Sequence, residues 1–383
     1  MDTPGTVDTL DTLTLARLDR ESQGNWEAEY SYREEADLQR HYDRCRKNPG
    51  HENFIPIDKF SIKDLPARYR NTDMVDYIRA VSDLTVRVTV KYVSERRPKT
   101  VGVSGKPYLG CRYRGQWRTT VGTGWVESVF IWDDEMNATC KCKDCRKSST
   151  PQTKFATISI NTAAHVVFDK SEGEHTTCHL FFDEEGTPET CQGVVALNGM
   201  HCLRNDTDSD NCRMDHYTHD LELAQELDQR CRQRVQMRCN IITKLQETTK
   251  FKCSQPTLDK QPLLFIVSHP HGLSKQISIG RWTSAHEQSN GSKEFTYTAA
   301  TCPGSSGAPV CIPHESDPVS RLTSLAYYSI HVGVCDKQPG MNCSTLIPGP
   351  LKYPDQYRLQ LNKGSSGERV LMLGRKCLYP SIE

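Results

Sequence analysis

Three side chains, far apart in the sequence, are of the types that together hydrolyse acyl bonds. Ser306 lies in a Gly-Ser-Ser-Gly turn, whose glycines allow the backbone to aim successive N–H groups into one small space. His165 follows a strand-like segment and could serve as a base near neutral pH. Asp220 precedes Leu221 and could orient the imidazole. The sequence therefore predicts a nucleophile, a base and an orienting carboxylate.

Each of these features also has a plainer interpretation. The Gly-Ser-Ser-Gly stretch alone could be an ordinary loop, and His165 alone could be a core or surface histidine. The acid is the least secure assignment, because other aspartates lie nearby in an acidic stretch predicted to be a loop, residues 205–212, and just after it: Asp208, Asp210 and Asp215. We favour Asp220 because the leucines that follow it indicate an element that reaches the core.

The two motifs resemble those of a known family. Residues 162–165, Thr-Ala-Ala-His, and residues 304–309, Gly-Ser-Ser-Gly-Ala-Pro, are similar to the histidine and serine motifs of chymotrypsin/trypsin-like peptidases. Residues 122–126 and 300–310 are similar to the intracellular, HtrA-like branch. The resemblance runs from Leu84 to the C-terminus and implies two six-stranded antiparallel β-barrels, with the site in the cleft between them.

The resemblance also implies roles for single residues. Ser306 would be the nucleophile, His165 the general base and Asp220 the orienting acid, while the backbone N–H groups of Gly304 and Ser306 would form the oxyanion hole. A protein or peptide substrate follows, and no cofactor is needed for catalysis. Position 305 is serine where digestive members have aspartate, and no Ile-Val-Gly-Gly stretch exists. Trypsin-style zymogen activation is therefore not expected.

The resemblance also implies that the strand after the nucleophile, here residues 327–334, forms the wall of a specificity pocket. Their Ile-His-Val-Gly sequence is similar to the equivalent strand of picornaviral-type main proteases and glutamate-specific peptidases. A ring nitrogen of His331 could bind a carboxylate or amide, so we expect Glu or Gln before the scissile bond. Ser329 and Gly333 are predicted to line the same pocket. Alternatively, His331 is a strand histidine with a structural partner.

The hydrophobic pattern divides the chain near Leu84. Residues 1–72 are predicted to form a helical or partly disordered extension, because aromatic and leucine residues between 26 and 42 recur every four positions. Residues 73–383 are predicted to form the peptidase domain, mainly β, with the boundary between its barrels near residues 225–260. Alternating apolar residues and turn residues predict short strands at 85–93, 120–121, 124–131, 155–160, 178–182, 193–197, 263–268, 276–283, 295–298, 308–312 and 325–334.

The cysteines raise the prospect of a metal site. The chain has 17 of them, and without a leader sequence most are expected to be free thiols. Cys140, Cys142 and Cys145 are spaced to present thiolates to a structural zinc, although free thiols or a redox-sensitive loop fit equally. The fourth ligand stays open among Cys178, His175, His179 and others. His269-Pro270-His271-Gly272 is interpreted as a turn in preference to a His-x-His metal site.

Composition and charge exclude several other classes. With 48 basic and 48 acidic residues, the chain lacks the positive charge expected of a protein whose main partner is nucleic acid or an anionic membrane. No apolar run approaches the length of a membrane span, and the first residues, Met-Asp-Thr-Pro, do not resemble a secretory signal. We expect a cytoplasmic or nuclear serine endopeptidase, or else a catalytically inactive protease-like domain that binds peptides. The oligomeric state stays open.

Overall fold

The computed structural model describes most of the chain. The described residues are 14–15, 18, 24–32, 35–101, 105–250, 262–287, 293–313, 329–335, 338–346, 359–363 and 369–373. Within them the protein is mainly β, as predicted, with two large antiparallel sheets, one two-stranded hairpin and few helices. None of the described helices combines the length and the apolar character needed to cross a bilayer.

The first sheet carries the histidine motif. Its strands follow the order β7-β6-β3-β4-β5-β9-β8, and all neighbours are antiparallel. The sheet curls around a core of buried aliphatic side chains such as Val88 and Ile160, but its end strands are not paired with each other among the described residues. The strands are β3 (Thr85–Tyr92), β4 (Trp117–Trp132), β5 (Phe155–Ala163), β6 (Thr176–Leu180), β7 (Val195–Asn198), β8 (His201–Asp206) and β9 (Asn211–Thr218).

The second sheet carries the serine motif and closes on itself. The order β10-β13-β14-β15-β12-β11 is completed by pairing of β11 with β10, which makes a six-stranded barrel. Its core contains Leu264, Ile266 and Val310. The strands are β10 (Leu263–Ser268), β11 (Gln276–Glu287), β12 (Lys293–Tyr297), β13 (Pro309–Cys311), β14 (Ser329–Val334) and β15 (Asn342–Leu346). A separate hairpin joins β16 (Leu359–Lys363) and β17 (Arg369–Leu373).

Four helices accompany the sheets in the described part of the chain: α1 (Glu35–Asp43), α2 (Thr72–Asp83), α3 (Lys170–Glu174) and α4 (Leu221–Lys250). The long helix α4 lies between the two sheets in sequence. It contacts β4, β5 and α2, and its side chain Ile241 joins the core that α2 forms with β10 and β11. The helical apolar pattern is visible in the sequence only over its first turns, residues 220–227, because the later part lacks a strong apolar stripe.

The N-terminal extension departs from the predicted helix. Trp26 and Tyr30 lie in extended backbone, because β1 (Glu29–Ser31) pairs with β4 and Trp26 pairs with Gly333 of β14. The helix begins only at Glu35, and the short strand β2 (Ile55–Pro56) pairs with β11. Strand pairing thus prevails over the four-residue repeat of aromatic side chains. The extension is built into both sheets.

Candidate active site

His165 is held rigidly just after strand β5. Its side chain is fully buried, and its backbone carbonyl accepts a hydrogen bond of 2.9 Å from the guanidinium of Arg97. Arg97 is itself fixed by a buried ion pair of 2.6 Å with Glu172. The backbone N–H of His165 donates to Oδ1 of Asp210 at 2.9 Å. Hydrogen bonds therefore fix both the N–H and the carbonyl of this histidine.

The structure places Asp210, and not Asp220, beside the imidazole of His165. Oδ2 of Asp210 lies 2.6 Å from Nδ1 of His165, at the turn between β8 and β9. Asp220 is exposed and caps helix α4, where its carboxylate accepts a hydrogen bond of 2.9 Å from the N–H of Leu223. The leucines after Asp220 do indicate the start of an element that reaches the core, but that element is helix α4, which Asp220 caps.

Ser306 lies in a turn whose shape depends on glycine. Gly304 has a φ of 95° and Gly307 a φ of 88°, which residues with side chains rarely adopt. A Cβ on Gly307 would lie 2.2 Å from the carbonyl oxygen of Thr123 on β4. Thr123 also fastens the turn, since its N–H donates to the Ser306 carbonyl at 2.8 Å and its hydroxyl donates to the Gly304 carbonyl at 2.8 Å. The serine turn of the second sheet is thus attached to the first.

The hydroxyl of Ser306 makes hydrogen bonds to groups other than the imidazole of His165. It accepts a hydrogen bond of 3.1 Å from the N–H of Glu27 and donates at 3.2 Å to the carbonyl of Val332. Nε2 of His165 is buried and has no hydrogen-bond partner among the described residues. The ring of Trp26 stacks on His165 with centroids 5.5 Å apart. Because Trp26 and Glu27 are consecutive, His165 and Ser306 border the same short stretch of chain.

That stretch, residues 25–27, lies as an extra antiparallel strand on β14. The N–H of Val334 donates to the Asn25 carbonyl at 2.9 Å, and Trp26 lies opposite Gly333. The N–H of Gly304, the predicted oxyanion donor, donates to the Glu27 carbonyl at 2.7 Å. Gly333 is required here, because a Cβ at this position would lie 1.7 Å from the Asn25 carbonyl oxygen. We call residues 25–27 the inserted strand.

The Glu27 side chain enters a polar pocket. One carboxylate oxygen lies 2.9 Å from Nε2 of His331 and accepts a hydrogen bond of 2.7 Å from the Thr301 hydroxyl. The other oxygen pairs with the ammonium of Lys47. Burial alone would raise the pKa of this carboxyl, but Lys47 and His331 together hold it well below its usual range. The pocket therefore holds Glu27 as a carboxylate.

The base of the pocket is built from two strands. Nδ1 of His331 lies 2.7 Å from the hydroxyl of Tyr297 on β12, and burial lowers the pKa of His331 despite the nearby Glu27. Ser329, predicted to line the pocket, instead donates to the Ser344 hydroxyl at 2.5 Å and to the Thr345 carbonyl at 3.3 Å. Its hydroxyl joins β14 to β15. His331 and Gly333, by contrast, contact the inserted strand.

The three clustered cysteines meet a fourth ligand type. Cys140, Cys142, Cys145 and His219 bring their ligand atoms within 4.8 Å of one another, and we call this group the peripheral cluster. Nε2 of His219 lies 3.4 Å from Sγ of Cys145 and 3.9 Å from Sγ of Cys142. His219 directly follows β9, whereas the fourth-ligand candidates Cys178, His175 and His179 are not in the group. No disulfide joins the cysteines that the structure describes.

Sequence reasoning missed three residues that the geometry brings to these sites, Glu27, Lys47 and His219, and it ranked Asp210 below Asp220. For Asp210 a signal was present, since residues 206–211, Asp-Thr-Asp-Ser-Asp-Asn, are turn formers between two strand-like runs. Glu27 and Lys47 gave no local signal. Their role depends on where the extension meets the second sheet.

Comparisons with known proteins add only distant likenesses. No protein-family model matches the chain, and no curated protein matches it in sequence. Among solved structures it is similar to the active form of the Rv3671c protease from M. tuberculosis, at 12% identity over 73% of this chain and 81% of that chain, with a TM-score of 0.35. It is also similar to the HtrA-type protease AlgW with a tripeptide, at 10% identity over 70% of this chain and 58% of that chain, with a TM-score of 0.33. These scores are too low to support conclusions about this chain.

Proposed function

We propose that the protein is a serine endopeptidase in which Ser306, His165 and Asp210 perform catalysis. One observation carries this proposal: the hydrogen-bonded His165–Asp210 pair and the Ser306 hydroxyl border the same two residues. The His165 ring stacks on Trp26, and the Ser306 hydroxyl accepts a hydrogen bond from the N–H of Glu27. A base with a fixed tautomer beside a turn-held hydroxyl, with the Gly304 N–H already bonded to a peptide carbonyl, is the arrangement that acyl transfer needs.

The reaction follows from the roles of these groups. Ser306 Oγ attacks the substrate carbonyl carbon while Nε2 of His165 takes its proton, and Asp210 stabilises the imidazolium that forms. The N–H groups of Gly304 and Ser306 bind the developing oxyanion. The proton then passes from His165 to the leaving amine, and water hydrolyses the resulting ester by the same route. For attack, the Ser306 hydroxyl has to rotate from its present partners toward Nε2.

The pocket favours glutamate before the scissile bond. Lys47 supplies a positive charge, and His331 and Thr301 supply hydrogen bonds to the same carboxylate. A glutamine side chain could take the hydrogen bonds of the pocket but would leave Lys47 without a counter-charge. Hydrogen bonds and ion pairs to a buried carboxylate are stronger than those to an amide. We therefore expect cleavage after Glu first and after Gln second.

The alternative function is a binding module that holds peptides without cutting them. The present partners of the Ser306 hydroxyl favour it, because they keep the oxygen from His165. A peptide library incubated with the wild type and with Ser306→Ala distinguishes the two functions. We expect the wild type to cleave after Glu and the variant to leave every peptide intact. In Glu27→Ala the inserted strand loses its anchor, so this variant should open the site to peptides. The peptidase would be contradicted if the wild type binds Glu peptides and neither the wild type nor Glu27→Ala hydrolyses them.

We also propose that the peripheral cluster binds a structural zinc through Cys140, Cys142, Cys145 and His219. Three thiolates and one imidazole suit tetrahedral zinc. The cluster ties the loop after β4 to the end of β9, and it has no part in the reaction. Metal content measured in the wild type and in a Cys142→Ser/Cys145→Ser variant tests this assignment, and equal zinc in both would contradict it.

A further inference from the structure

We propose that the inserted strand is the enzyme's own first substrate, cut between Glu27 and Ala28. This inference rests on the proposed function. Three observations support it: the backbone contacts of the inserted strand, the burial of the Glu27 side chain in the pocket, and the pairing of the residues that follow Glu27 with β4.

The backbone of the inserted strand makes the contacts that an extended substrate needs. Antiparallel pairing to β14 fixes its direction and register, as in other cases where a peptide adds to a sheet edge. The pairing sets the Glu27 carbonyl against the N–H of Gly304 at 2.7 Å. The carbonyl that accepts from the oxyanion donor is therefore the one whose carbon Ser306 would attack.

The side chain of Glu27 is buried, which is uncommon for a glutamate. The residue is only 4% exposed, whereas glutamates are rarely buried unless paired. Its three partners come from three distant parts of the chain, Lys47, Thr301 and His331. The pocket that would select a substrate is thus filled by the side chain on the acyl side of the proposed cut.

The chain is also held on the far side of the bond. Ala28 is fully buried, and β1 pairs residue by residue with β4, from Glu29 opposite Val121 to Ser31 opposite Thr119. The Glu27–Ala28 peptide is therefore stretched across the cleft between two anchored strands. After cleavage the residues from Ala28 onward stay attached through β1, while residues 1–27 can leave and free the pocket.

The chemical step balances with water alone. Ser306 Oγ bonds to the Glu27 carbonyl carbon, its proton passes to His165 and then to the nitrogen of Ala28, and the Glu27–Ala28 bond breaks. Water then cleaves the ester, leaving a carboxylate on Glu27, a free amino group on Ala28 and the original Ser306 hydroxyl.

Intact mass and N-terminal sequencing of the purified chain test the proposal, with a fluorophosphonate probe as a separate readout of the active serine. We expect the wild type to begin at Ala28, Ser306→Ala to remain uncut, and Glu27→Ala to remain uncut yet take the probe. Glu52→Ala, at an exposed glutamate, is the matched control and should be cut like the wild type. The cut fraction should not depend on protein concentration, since the strand lies in its own cleft.

The contradicting outcomes separate the two proposals. An uncut wild type that takes the probe would overturn self-cleavage and leave the peptidase intact. A cut that persists in Ser306→Ala would also overturn it, because another protease would be responsible. If neither the wild type nor Glu27→Ala takes the probe and no chain is cut, the peptidase itself fails.

A second proposal rests on a different observation, a buried group formed by Cys45, His51, His271 and Cys302. All four residues are buried, and their ligand atoms lie within 4.8 Å of one another. We propose that this group, the buried cluster, binds zinc. The proposed reaction does not use these four side chains.

The spacing in the buried cluster fits a tetrahedral ion. The sulfurs of Cys45 and Cys302 are 3.6 Å apart, and Nε2 of His51 is 3.6 Å from the Cys302 sulfur. Zinc–sulfur bonds of about 2.3 Å in a tetrahedron set two sulfurs roughly 3.8 Å apart. Both pairs are thus close to the separation that one shared ion imposes.

The surroundings point to a ligand as well. Nδ1 of His271 lies 2.6 Å from the carboxylate of Glu29, so its buried Nε2 is the ring nitrogen left to face the two sulfurs of the cluster. A carboxylate behind a histidine is the usual support of a metal-bound imidazole. The Asn48 side chain donates to the Cys302 sulfur at 3.1 Å, as expected beside a thiolate.

The position of this ion would tie the extension to the site. Cys45 and His51 belong to the extension, whereas His271 follows β10 and Cys302 precedes Gly304 by two residues. The turn at residues 269–272 is present as predicted, and its His271 also enters the cluster. Zinc here would fix the segment that carries Lys47 against the turn that carries the oxyanion donor.

Metal content per chain, measured on protein prepared without chelator, tests the buried cluster. We expect two zinc ions in the wild type and one in Cys45→Ser/Cys302→Ser, with two retained in Cys178→Ser, which alters a buried cysteine outside both clusters. Because the double variant could misfold, cobalt-substituted wild type gives a second readout, and we expect the thiolate charge-transfer absorption of two tetrahedral sites. Equal zinc content in the wild type and in folded Cys45→Ser/Cys302→Ser, or a cobalt spectrum that accounts for the peripheral cluster alone, would overturn the proposal.

Discussion

The two halves of the candidate active site are prepared to different degrees. On the first sheet, His165 and Asp210 are already bonded at 2.6 Å, and both groups belong to that sheet and its turns. On the second sheet, the serine turn is formed and fastened, but its hydroxyl is bonded to Glu27 and Val332. The proposed base is therefore positioned by the fold of the first sheet, whereas the chain's own N-terminal extension occupies the hydroxyl of the proposed nucleophile.

Removing either reacting group should have the largest effect. Ser306→Ala and His165→Ala should each lower kcat/KM on a Glu-containing peptide by about 10⁴-fold or more, since both take part in bond making. Ser305→Ala is the matched control, because this neighbour only bonds to Ser268 and to the N–H of Cys302. Equal losses from the Ser305 and Ser306 variants would contradict the assignment of the nucleophile.

The carboxylate comparison should give the next largest effect. Asp210→Asn should reduce kcat/KM by about 10³-fold or more because the imidazole loses its charged partner. Asp220→Asn should retain activity within a few-fold. Asp220→Ala should cost about 1 kcal/mol of unfolding free energy, since it removes a helix cap, as measured by denaturant unfolding. Activity lost in Asp220→Asn and kept in Asp210→Asn would contradict the proposed role of Asp210.

The pocket should respond to loss of its charge. Lys47→Met should lower the ratio of kcat/KM on Glu peptides to kcat/KM on matched Gln peptides by about 10- to 100-fold. The reason is that a charged hydrogen bond contributes roughly 1.5–3 kcal/mol. Lys59→Met, at an exposed lysine, is the control and should leave the preference unchanged. Competition between matched Glu and Gln peptides measures the ratio directly. An unaltered ratio in Lys47→Met would remove Lys47 from the pocket.

The peripheral cluster should have the smallest effect on activity. Cys142→Ser should lower the thermal midpoint while kcat/KM stays within about two-fold, because the cluster lies at the end of the first sheet and touches neither half of the site. Thermal unfolding and peptide hydrolysis on the same preparation provide the two measurements. A large fall in kcat/KM at a temperature where the variant remains folded would show that the cluster acts on the site.

The sequence predicts the β class and most strands because alternation along a strand is a local property. Strands β3, β5 and β10, for example, begin and end within a few residues of their predicted positions. The hairpin of β8 and β9 was missed because its acidic tip resembles a loop. Asp210 reaches His165 only through that hairpin, whose pairing sets Asn211 opposite Ala163, and no local pattern specifies this register.

The inserted strand shows the other limit of sequence reasoning. Trp26 and Tyr30 fit a helical repeat as well as they fit a strand, and the choice is made by contacts with residues far along the chain, such as Gly333 and Val121. Glu27 has significance only beside His331 and Lys47, which come from a strand of the second sheet and from the extension itself. Such sites are set by tertiary contacts, so composition and periodicity do not reveal them.

The most direct test of the catalytic assignment is to locate the adduct formed by a fluorophosphonate probe, by peptide mass mapping of the wild type, His165→Ala and Glu27→Ala. We predict one adduct, on Ser306, in the wild type and in Glu27→Ala, and none in His165→Ala. No adduct in either of the first two proteins, or an adduct on Ser306 that forms equally well without His165, would contradict the account.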